Sequence, residues 1–125
     1  MWALATDDGA VLWTFSTDDL IYSSAAVDNT RVYFGSDEGS IYAVNRADGE
    51  LAWAFETGSL VRSSPVVDGE RLYAGSYDDV LYALDVQTGD DVWTYLVGAS
   101  TTTVAISGGR VYTTTIDGRL IALED

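Results

Sequence analysis

The sequence of 125 residues contains no cysteine and no histidine. Disulfide bonds and cysteine-ligated zinc are therefore excluded, because both require thiol groups. Histidine is the side chain used most often for proton transfer near neutral pH, so its absence removes a common part of catalytic and metal sites. The residues from which most metal centres and acid–base sites are built are thus largely missing.

Long apolar runs are also missing from the chain. No run approaches the ~18 consecutive apolar residues of a membrane-spanning helix, so we expect no membrane insertion. Residues 1–5 align with the strand-forming residues 41–45 and 120–124, and they are interpreted as a strand rather than a signal peptide. The sequence therefore indicates no localisation of its own.

Lysine is the third residue type that is absent. The chain has six arginines, 15 aspartates and 5 glutamates, which give a formal net charge of −14. Phosphate binding requires a basic surface, so this balance argues against nucleic acid and anionic membranes as partners. An acidic, lysine-free composition resembles that of proteins from halophilic archaea, and we expect such an origin, with an acidic mesophilic protein and an engineered sequence as alternatives.

An internal repeat is the most informative feature that the sequence does contain. Two sets of residues recur at intervals of 40: Trp13, Trp53 and Trp93, and Gly9, Gly49 and Gly89. Residues 6–45 and 46–85 align without a gap and are identical at 16 of 40 positions, whereas the third copy is one residue shorter between Gly98 and Val104. A supersecondary unit repeated in this way buries its apolar faces against copies of itself.

Each copy contains four short runs of apolar or β-branched residues, which have a period near two and are bounded by Gly and Asp turns. In the middle copy these runs are residues 63–67, 71–76, 80–85 and 91–96. Four short antiparallel strands in about 40 residues are typical of a β-propeller blade. We therefore predict an all-β fold without helices, in which about three four-stranded antiparallel blades form an incomplete propeller.

The same copy carries a specific motif. Ala83, Asp85, Thr88, Gly89 and Trp93 reproduce the pattern A-x-D-x-x-T-G-x-x-x-W. This pattern resembles the tryptophan-docking motif of the PQQ-like (quinoprotein-type) propeller family. Partial copies are formed by Ala43, Gly49 and Trp53, and by Ala3, Gly9 and Trp13. The resemblance implies that each Trp ring lies between the Ala of its own motif and the Gly peptide of the next blade, and so links the two blades.

The repeat boundaries predict a single propeller segment over residues 1–125. Residues 1–17 form two strands of a partial blade, residues 18–56 and 57–96 each form a blade, and residues 97–125 form a blade without its last strand. Such a segment exposes apolar faces and strand edges, which favour association. We expect head-to-tail self-association, in which residues 11–17 of one chain complete the last blade of the next, and a dimer with six blades is preferred. Residues 1–5 and 120–124 then compete for one strand position, and the sequence does not choose between them.

Candidate contact residues lie where the loops of a propeller gather over its channel. They are Tyr22, Arg62 and Thr101 before the first strand of a blade, and Asp37 and Tyr77 in the turn between its second and third strands. These residues differ between copies whose framework is otherwise repeated, which favours specialised contacts. The alternative is that they are solvent-facing loop residues that are free to vary. The pairs of neighbouring aspartates lack the spacing of a calcium-binding loop, and we predict no catalytic, cofactor-binding or metal-binding residue.

The leading functional hypothesis is a non-catalytic scaffold or binding module, whose partners are a second copy of the chain and, through the loops, another protein. Two alternatives stay open. The family resemblance implies a fragment of a PQQ-dependent dehydrogenase-like protein, although the chain has no insertions of the kind that carry the calcium ligands and catalytic Asp of those enzymes. The other alternative is a sensor domain for a small polar ligand. The resemblance also implies an extracytoplasmic parent protein.

The acidic composition predicts that folding depends on salt. In dilute buffer, repulsion among the carboxylates opposes compaction, whereas molar salt shortens the Debye length to about 3 Å and screens that repulsion. We expect a loose or unfolded chain in dilute buffer and a cooperative thermal transition in molar salt, measured by circular dichroism. A thermal midpoint that is the same at low and at molar salt would contradict the halophilic interpretation.

Overall fold

The computed structural model describes residues 1–124, which form thirteen strands and no helix. The strands are β1 (Trp2–Leu4), β2 (Val11–Thr14), β3 (Ala26–Val27), β4 (Arg31–Gly35), β5 (Ser40–Asn45), β6 (Leu51–Glu56), β7 (Val66–Asp68), β8 (Arg71–Gly75), β9 (Val80–Asp85), β10 (Asp91–Leu96), β11 (Thr101–Ser107), β12 (Arg110–Thr115) and β13 (Leu120–Glu124). A helix long and apolar enough to cross a membrane is accordingly not found in residues 1–124. The all-β prediction is confirmed.

The strands form four antiparallel sheets, and each sheet is made of strands that follow one another in the chain. β1 and β2 form the N-terminal hairpin, β3–β6 the first blade, β7–β10 the second blade and β11–β13 the C-terminal sheet. Antiparallel neighbours need only short turns between them, so the spatial order of the strands equals their chain order. Two four-stranded blades therefore lie between two smaller sheets.

The register of the strands repeats from one blade to the next. In the first blade Tyr33 lies opposite Ala43, and Ala43 lies opposite Trp53. The second blade repeats this order with Tyr73, Ala83 and Trp93. Because the intervening alanine is small, the Tyr and Trp rings meet across it, with centroids 6.0 and 5.8 Å apart in the two blades. The alanine of the motif therefore provides room for the tryptophan of its own blade.

The first strand of the second blade differs from its prediction. The sequence predicts this strand at residues 63–67, but the structure places it at Val66–Asp68. Pro65 has no N–H group to donate to a strand ladder. Ser64 instead accepts a 2.8 Å hydrogen bond from the backbone of Ser24 in the first blade, and it forms an isolated bridge to the C-terminal sheet. These residues therefore serve contacts between sheets rather than pairing within one.

The hydrophobic core lies between neighbouring sheets. Buried residues between the first and second blades include Ile41, Val61 and Leu72. Those between the second blade and the C-terminal sheet include Leu81, Val104 and Val111. Stacked sheets cover both faces of their inner strands, which explains why these strands are apolar in sequence without strict alternation.

The indole of Trp53 joins the first blade to the second. A β-carbon built on Gly89 would lie only 2.5 Å from this ring, so the ring rests against the bare glycine peptide. The Trp53 Nε1 atom donates a 2.9 Å hydrogen bond to the carbonyl of Val86 in the same turn. Gly89 has a φ of +77°, which side chains other than glycine rarely adopt. Glycine is therefore required here both for space and for backbone conformation.

Trp13 makes the same joint between the N-terminal hairpin and the first blade. Its ring would lie 2.5 Å from a β-carbon on Gly49, whose φ is +73°. Its Nε1 donates a 2.9 Å hydrogen bond to the carbonyl of Arg46, which precedes Gly49 by three residues as Val86 precedes Gly89. The two joints therefore repeat one geometry, in which the last strand of one sheet docks on the last turn of the next.

Removal of the Trp53 ring tests this joint. Trp53 is 8% exposed, and Trp53→Ala deletes its contact with Gly89 and leaves a cavity between the blades. We expect a loss of about 3–5 kcal/mol in the free energy of unfolding, measured with urea in molar salt. Trp2 is 68% exposed, so Trp2→Ala should change this free energy by less than about 0.5 kcal/mol. Equal losses for the two variants would show that burial of Trp53 between blades does not support the fold.

Candidate protein-binding site on the loop face

Three pairs of loops converge at one end of the sheets, here termed the loop face. In each pair, the turn between the second and third strands of a sheet donates a backbone hydrogen bond to the loop that precedes its first strand. The bonds run from Asp37 N to Leu20 O (2.8 Å), from Tyr77 N to Leu60 O (2.9 Å) and from Ile116 N to Ser100 O (3.0 Å). A repeated backbone framework thus carries the residues that differ between copies.

Arg62 and Asp37 form a bidentate ion pair on the loop face. Arg62 Nε donates to Asp37 Oδ1 at 2.9 Å, and Arg62 Nη2 donates to Asp37 Oδ2 at 2.7 Å. The Asp37 side chain is 6% exposed and that of Arg62 is 39% exposed. The hydrogen bonds from Arg62 hold the pKa of the Asp37 carboxyl below its ordinary value, and the same bonds raise the pKa of Arg62. The pair links the first and second blades and fixes the guanidinium plane.

Two tyrosines flank the guanidinium of Arg62. The ring centroid of Tyr22 lies 4.6 Å from the Arg62 Cζ atom, and that of Tyr77 lies 5.8 Å from it. Both distances allow cation–π attraction. Tyr22 is 62% exposed, so its ring also faces solvent. Four of the five candidate contact residues, namely Tyr22, Arg62, Asp37 and Tyr77, therefore form one cluster, here called the Tyr–Arg–Tyr cluster.

Thr101, the fifth candidate, lies outside this cluster. It is buried against Gly75, at the place that Val61 occupies against Gly35 one blade earlier. The residue of the C-terminal sheet that corresponds to Arg62 is therefore Thr102. The prediction matched Thr101 with Arg62, whereas the structure matches Thr101 with Val61, because packing against the glycine of the preceding blade is kept.

The ion pair itself is not predicted from the sequence. The sequence identifies Arg62 and Asp37 as separate candidates, since each differs from its equivalents in the other copies. Their opposite charges in loops of neighbouring blades are the signal that could have suggested a pair. The distance between those loops depends on how the blades stack, which sequence alone does not give.

Asp78, a carboxylate of the loop face, organises the turn in which it lies. Asp78 accepts hydrogen bonds from Gly58 N (2.8 Å), Val80 N (3.1 Å) and the Tyr82 hydroxyl (2.5 Å). Desolvation and the Asp78 carboxylate raise the pKa of Tyr82 above its ordinary value. In the described range, residues 1–124, no group of three or more acidic side chains is arranged to hold a metal ion. The Asp78 carboxylate thus has a structural role in its turn.

Comparison with known proteins identifies the family. The sequence matches, over residues 2–125, the family model described as "PQQ_2: Outer membrane protein assembly factor BamB". The chain belongs to this PQQ_2 family. No curated protein sequence matches it significantly.

Solved structures show the fold that this PQQ_2 chain shares. The crystal structure of BamB from Moraxella catarrhalis is similar with a TM-score of 0.80 and 22% identity, over 93% of this chain and 37% of that one. The quinohemoprotein alcohol dehydrogenase ADHIIG from Pseudomonas putida HK5 is similar with a TM-score of 0.75 and 19% identity, over 90% of this chain and 20% of that one. The β-propeller prediction is confirmed, and the chain spans only 37% and 20% of these two proteins.

The polar positions of the PQQ_2 motif shape the turn on which tryptophan docks. Asp85 accepts hydrogen bonds from Gln87 N (2.8 Å) and Thr88 N (3.0 Å), and Thr88 Oγ1 accepts one from Asp90 N (3.2 Å). The bonds from Thr88 and Gln87 lower the pKa of the Asp85 carboxyl. The ionised carboxylate therefore holds the turn in the conformation that presents Gly89 to the indole of Trp53.

The Arg62–Asp37 pair predicts a pH dependence of stability. The folded-state pKa of Asp37 is lowered, so the pair stabilises the fold above the unfolded-state pKa of about 3.9, and this contribution is lost as pH falls through the lower folded-state value. The difference in unfolding free energy between the natural sequence and Arg62→Met should be present at pH 7 and shrink below about pH 4. Urea unfolding in molar salt measures both.

Arg110→Met provides the matched control. It removes an exposed ion pair with Glu124, whose side chain is 75% exposed, and should alter stability little at either pH. An effect of Arg62→Met that stays constant between pH 7 and pH 3 would contradict the proposed role of the ion pair.

Proposed function

We propose that this chain is a non-catalytic β-propeller segment that serves as a scaffold and binds another protein through its loop face. The Tyr–Arg–Tyr cluster is the observation that carries this proposal. Tyrosine and arginine are enriched among the residues that dominate binding energy in protein interfaces. In this cluster Arg62 is already fixed by Asp37, so little side-chain freedom is lost when a partner binds.

The charge of the loop face indicates the kind of partner. The charge of Arg62 is balanced by Asp37, and that of Arg119 by Asp117 at 3.0 Å. The remaining charged side chains near these loops, such as Glu38 and Asp78, are acidic. We therefore expect a protein partner whose contact surface is basic at its rim, since complementary charge raises the rate and specificity of association.

The family description supports protein binding over catalysis. Proteins of this family are described as outer membrane protein assembly factor BamB, and the BamB of Moraxella catarrhalis shares this fold. Assembly of other proteins is a role performed through contacts and not through a reaction. We transfer only the general role of protein binding to this chain, and we propose an extracytoplasmic parent from a halophilic archaeon.

The scaffold role extends to association between blades. The N-terminal hairpin exposes the apolar side chains Trp2, Leu4, Val11 and Leu12, and the C-terminal sheet exposes Leu120. Exposed apolar faces and strand edges favour pairing with further blades. We propose that a second copy of the chain can supply those blades in a head-to-tail dimer.

A fragment of a dehydrogenase-like protein is the second candidate, because the quinohemoprotein alcohol dehydrogenase shares the fold. The residues present do not fit a quinone site that contains calcium. In residues 1–124 no set of acidic side chains is placed to hold the metal ion, and Arg62 is held by Asp37. We therefore propose that the chain is not an enzyme, and saturable binding of pyrroloquinoline quinone with calcium would favour the second candidate instead.

Substitution of Tyr22 tests the binding role. The chain, immobilised in molar salt, is incubated with extract of cells that produce it, and bound proteins are identified by mass spectrometry. We expect a protein that is retained by the natural sequence and by Tyr95→Ala, but lost with Tyr22→Ala, since both tyrosines are exposed and only Tyr22 lies on the loop face. If Tyr22→Ala retains every bound protein, the loop face is not the binding site.

A further inference from the structure

Four Asp–Gly dipeptides occur in the chain, and each lies at a turn between two strands: Asp8–Gly9, Asp48–Gly49, Asp68–Gly69 and Asp117–Gly118. An Asp–Gly bond is prone to spontaneous rearrangement of the backbone, because glycine has no side chain to hinder attack of its amide nitrogen on the carboxyl carbon of the aspartate. Hydrogen bonds that engage either group oppose this attack. The contacts of the four turns therefore indicate which of the dipeptides can react.

The turn at Asp48–Gly49 is closed by two hydrogen bonds. Gly49 N donates to Asn45 O at 2.8 Å, and Asp48 Oδ1 accepts from Glu50 N at 2.9 Å. The glycine nitrogen and the carboxylate are therefore both engaged, each with a different partner. The same two bonds, at 2.9 and 3.0 Å, close the turn at Asp8–Gly9. In both turns, two bonds must break before the nitrogen can reach the carboxyl carbon.

The turn at Asp117–Gly118 is held by a hydrogen bond and by charge. Gly118 N donates to Thr115 O at 3.1 Å. Arg119 Nε donates to Asp117 Oδ2 at 3.0 Å, and the Thr115 hydroxyl donates to Asp117 Oδ1. The bonds from Arg119 and Thr115 lower the pKa of the Asp117 carboxyl, which therefore stays ionised. An ionised carboxylate resists nucleophilic attack, so this dipeptide is protected as well.

Asp68–Gly69 has neither kind of restraint. Within residues 1–124, Gly69 N and the Asp68 carboxylate take part in no hydrogen bond. Both residues are exposed, and a β-carbon built on Gly69 would meet no atom within 4 Å. The nitrogen and the carboxyl group of this dipeptide are therefore both exposed and unengaged, in contrast to those of the other three.

The shape of the turn explains why the Gly69 nitrogen is free. β7 ends at Asp68 and β8 begins at Arg71, and these two residues face each other across the turn. The φ of Gly69 is +58° and that of Glu70 is negative, which is the pattern of a type II′ turn. In such a turn the hydrogen bonds across the hairpin belong to the flanking residues, so the N–H of the first central residue is not used. The turn is tethered instead through Glu70, whose carbonyl accepts a 3.1 Å bond from Val86 N.

The matched turn of the first blade holds its aspartate in place. Asp28 Oδ1 accepts hydrogen bonds from Thr30 N and Arg31 N, both at 2.8 Å, and Asp28 Oδ2 accepts one from the Tyr33 hydroxyl at 2.7 Å. The residue after Asp28 is Asn29, whose side chain hinders attack by its own nitrogen. The second blade therefore differs from the first at this turn, in both the bonding of the aspartate and the residue that follows it.

We propose that Asp68 is a site of spontaneous isomerisation, at which the folded chain converts aspartate to isoaspartate. With the Asp68 carboxyl group protonated, Gly69 N attacks Asp68 Cγ and a carbon–nitrogen bond forms. The carboxyl hydroxyl group leaves with the amide proton as water, and the product is a five-membered succinimide ring. This inference goes beyond the proposed binding function and does not depend on it.

Hydrolysis of the ring completes the reaction. Water adds to one of the two ring carbonyls, and the bond between that carbonyl carbon and the ring nitrogen breaks. Opening at the side-chain carbonyl restores aspartate. Opening at the main-chain carbonyl leaves the main chain running through the side-chain carbon, which is isoaspartate. One water molecule is released and one is consumed, so the reaction requires no oxidant, reductant or other reactant.

Isomerisation would alter the inner strand of the second blade. Isoaspartate adds one carbon atom to the main chain and shifts the pairing of Asp68 with Arg71. Val67 packs against the core between the two complete blades, and Val66 packs against the core between the second blade and the C-terminal sheet. β7 has three residues, so few ladder bonds resist the shift. We therefore expect the isomerised chain to unfold at a lower temperature than the unmodified chain.

The turn lies at the opposite end of the sheets from the loop face. It joins the first and second strands of its blade, whereas Tyr77 lies between the second and third. Isomerisation therefore leaves the Tyr–Arg–Tyr cluster in place. Isoaspartate at Asp68 and partner binding through Tyr22 are separate measurements, and either can fail without the other.

Ageing of the folded chain tests the site. The 125-residue chain is incubated in molar salt at mildly acidic pH, where more of the carboxyl groups are protonated than at neutral pH, and circular dichroism confirms that it remains folded. Isoaspartate in each Asp–Gly peptide is then measured by electron-transfer mass spectrometry, which distinguishes the two isomers. We expect isoaspartate at Asp68 to form roughly ten times faster than at Asp48, where local opening must come first.

The unfolded chain is the control for effects of local sequence. In urea none of the four turns is held, so the four dipeptides should form isoaspartate at similar rates. Similar rates at Asp68 and Asp48 in the folded chain would overturn the proposal. Reaction at Asp68 in the unfolded chain but not in the folded chain would also overturn it, since the folded turn would then protect the dipeptide.

Matched substitutions test the two reacting groups. Asparagine before glycine forms the same ring faster, with loss of ammonia in place of water, and its amide oxygen can still accept the hydrogen bond of the turn. In the folded chain, Asp68→Asn should therefore convert to aspartate and isoaspartate, whereas Asp48→Asn should remain unchanged over the same time. Gly69→Asn tolerates the positive φ but adds a side chain beside the nitrogen, so it should slow the reaction at Asp68. Equal conversion of the two aspartate variants, or an unchanged rate with Gly69→Asn, would contradict the assignment.

Discussion

The contact between an indole ring and a bare glycine peptide is the interaction on which the structure depends. Each sheet is small and has apolar residues on both faces, so it is stable only between neighbours. The indole of Trp53 fixes the spacing and orientation of the two complete blades, because its ring rests on Gly89 and its Nε1 bonds to Val86 in the same turn. Stacking of the inner strands then buries the aliphatic core between them.

The loop face depends on this stacking. Asp37 belongs to the first blade and Arg62 to the second, so their bidentate contact exists only while the blades keep their spacing. The Tyr–Arg–Tyr cluster therefore depends on the contact between Trp53 and Gly89, although it lies at the opposite end of the sheets. The same dependence means that the surface of the loop face is shared between repeats and is not carried by any single one.

The fold could be predicted from the sequence, whereas the candidate site could be predicted only in part. The interval of 40 residues between Trp13, Trp53 and Trp93 predicts blades, since each repeat must encode the same local turns and strands. Four of the five candidate contact residues gather on the loop face, but the pairing of Arg62 with Asp37 depends on the distance between blades. The prediction assigned Thr101 to the position of Arg62, although it holds the position of Val61. A sequence alignment does not show that the packing of Thr101 against Gly75 is retained. Local sequence patterns thus determine the strands and turns, and the distance between blades determines which side chains are in contact.

A double-mutant cycle between Trp53 and Gly89 measures the central interaction most directly. Gly89→Ala introduces a β-carbon 2.5 Å from the indole and also strains a backbone with φ of +77°, whereas in a Trp53→Ala background only the strain remains. The account predicts that Gly89→Ala lowers the unfolding free energy more in the natural sequence than in Trp53→Ala, with a coupling of about 0.5–3 kcal/mol. Equal losses in the two backgrounds would contradict the claim that the indole and the glycine peptide hold the blades together.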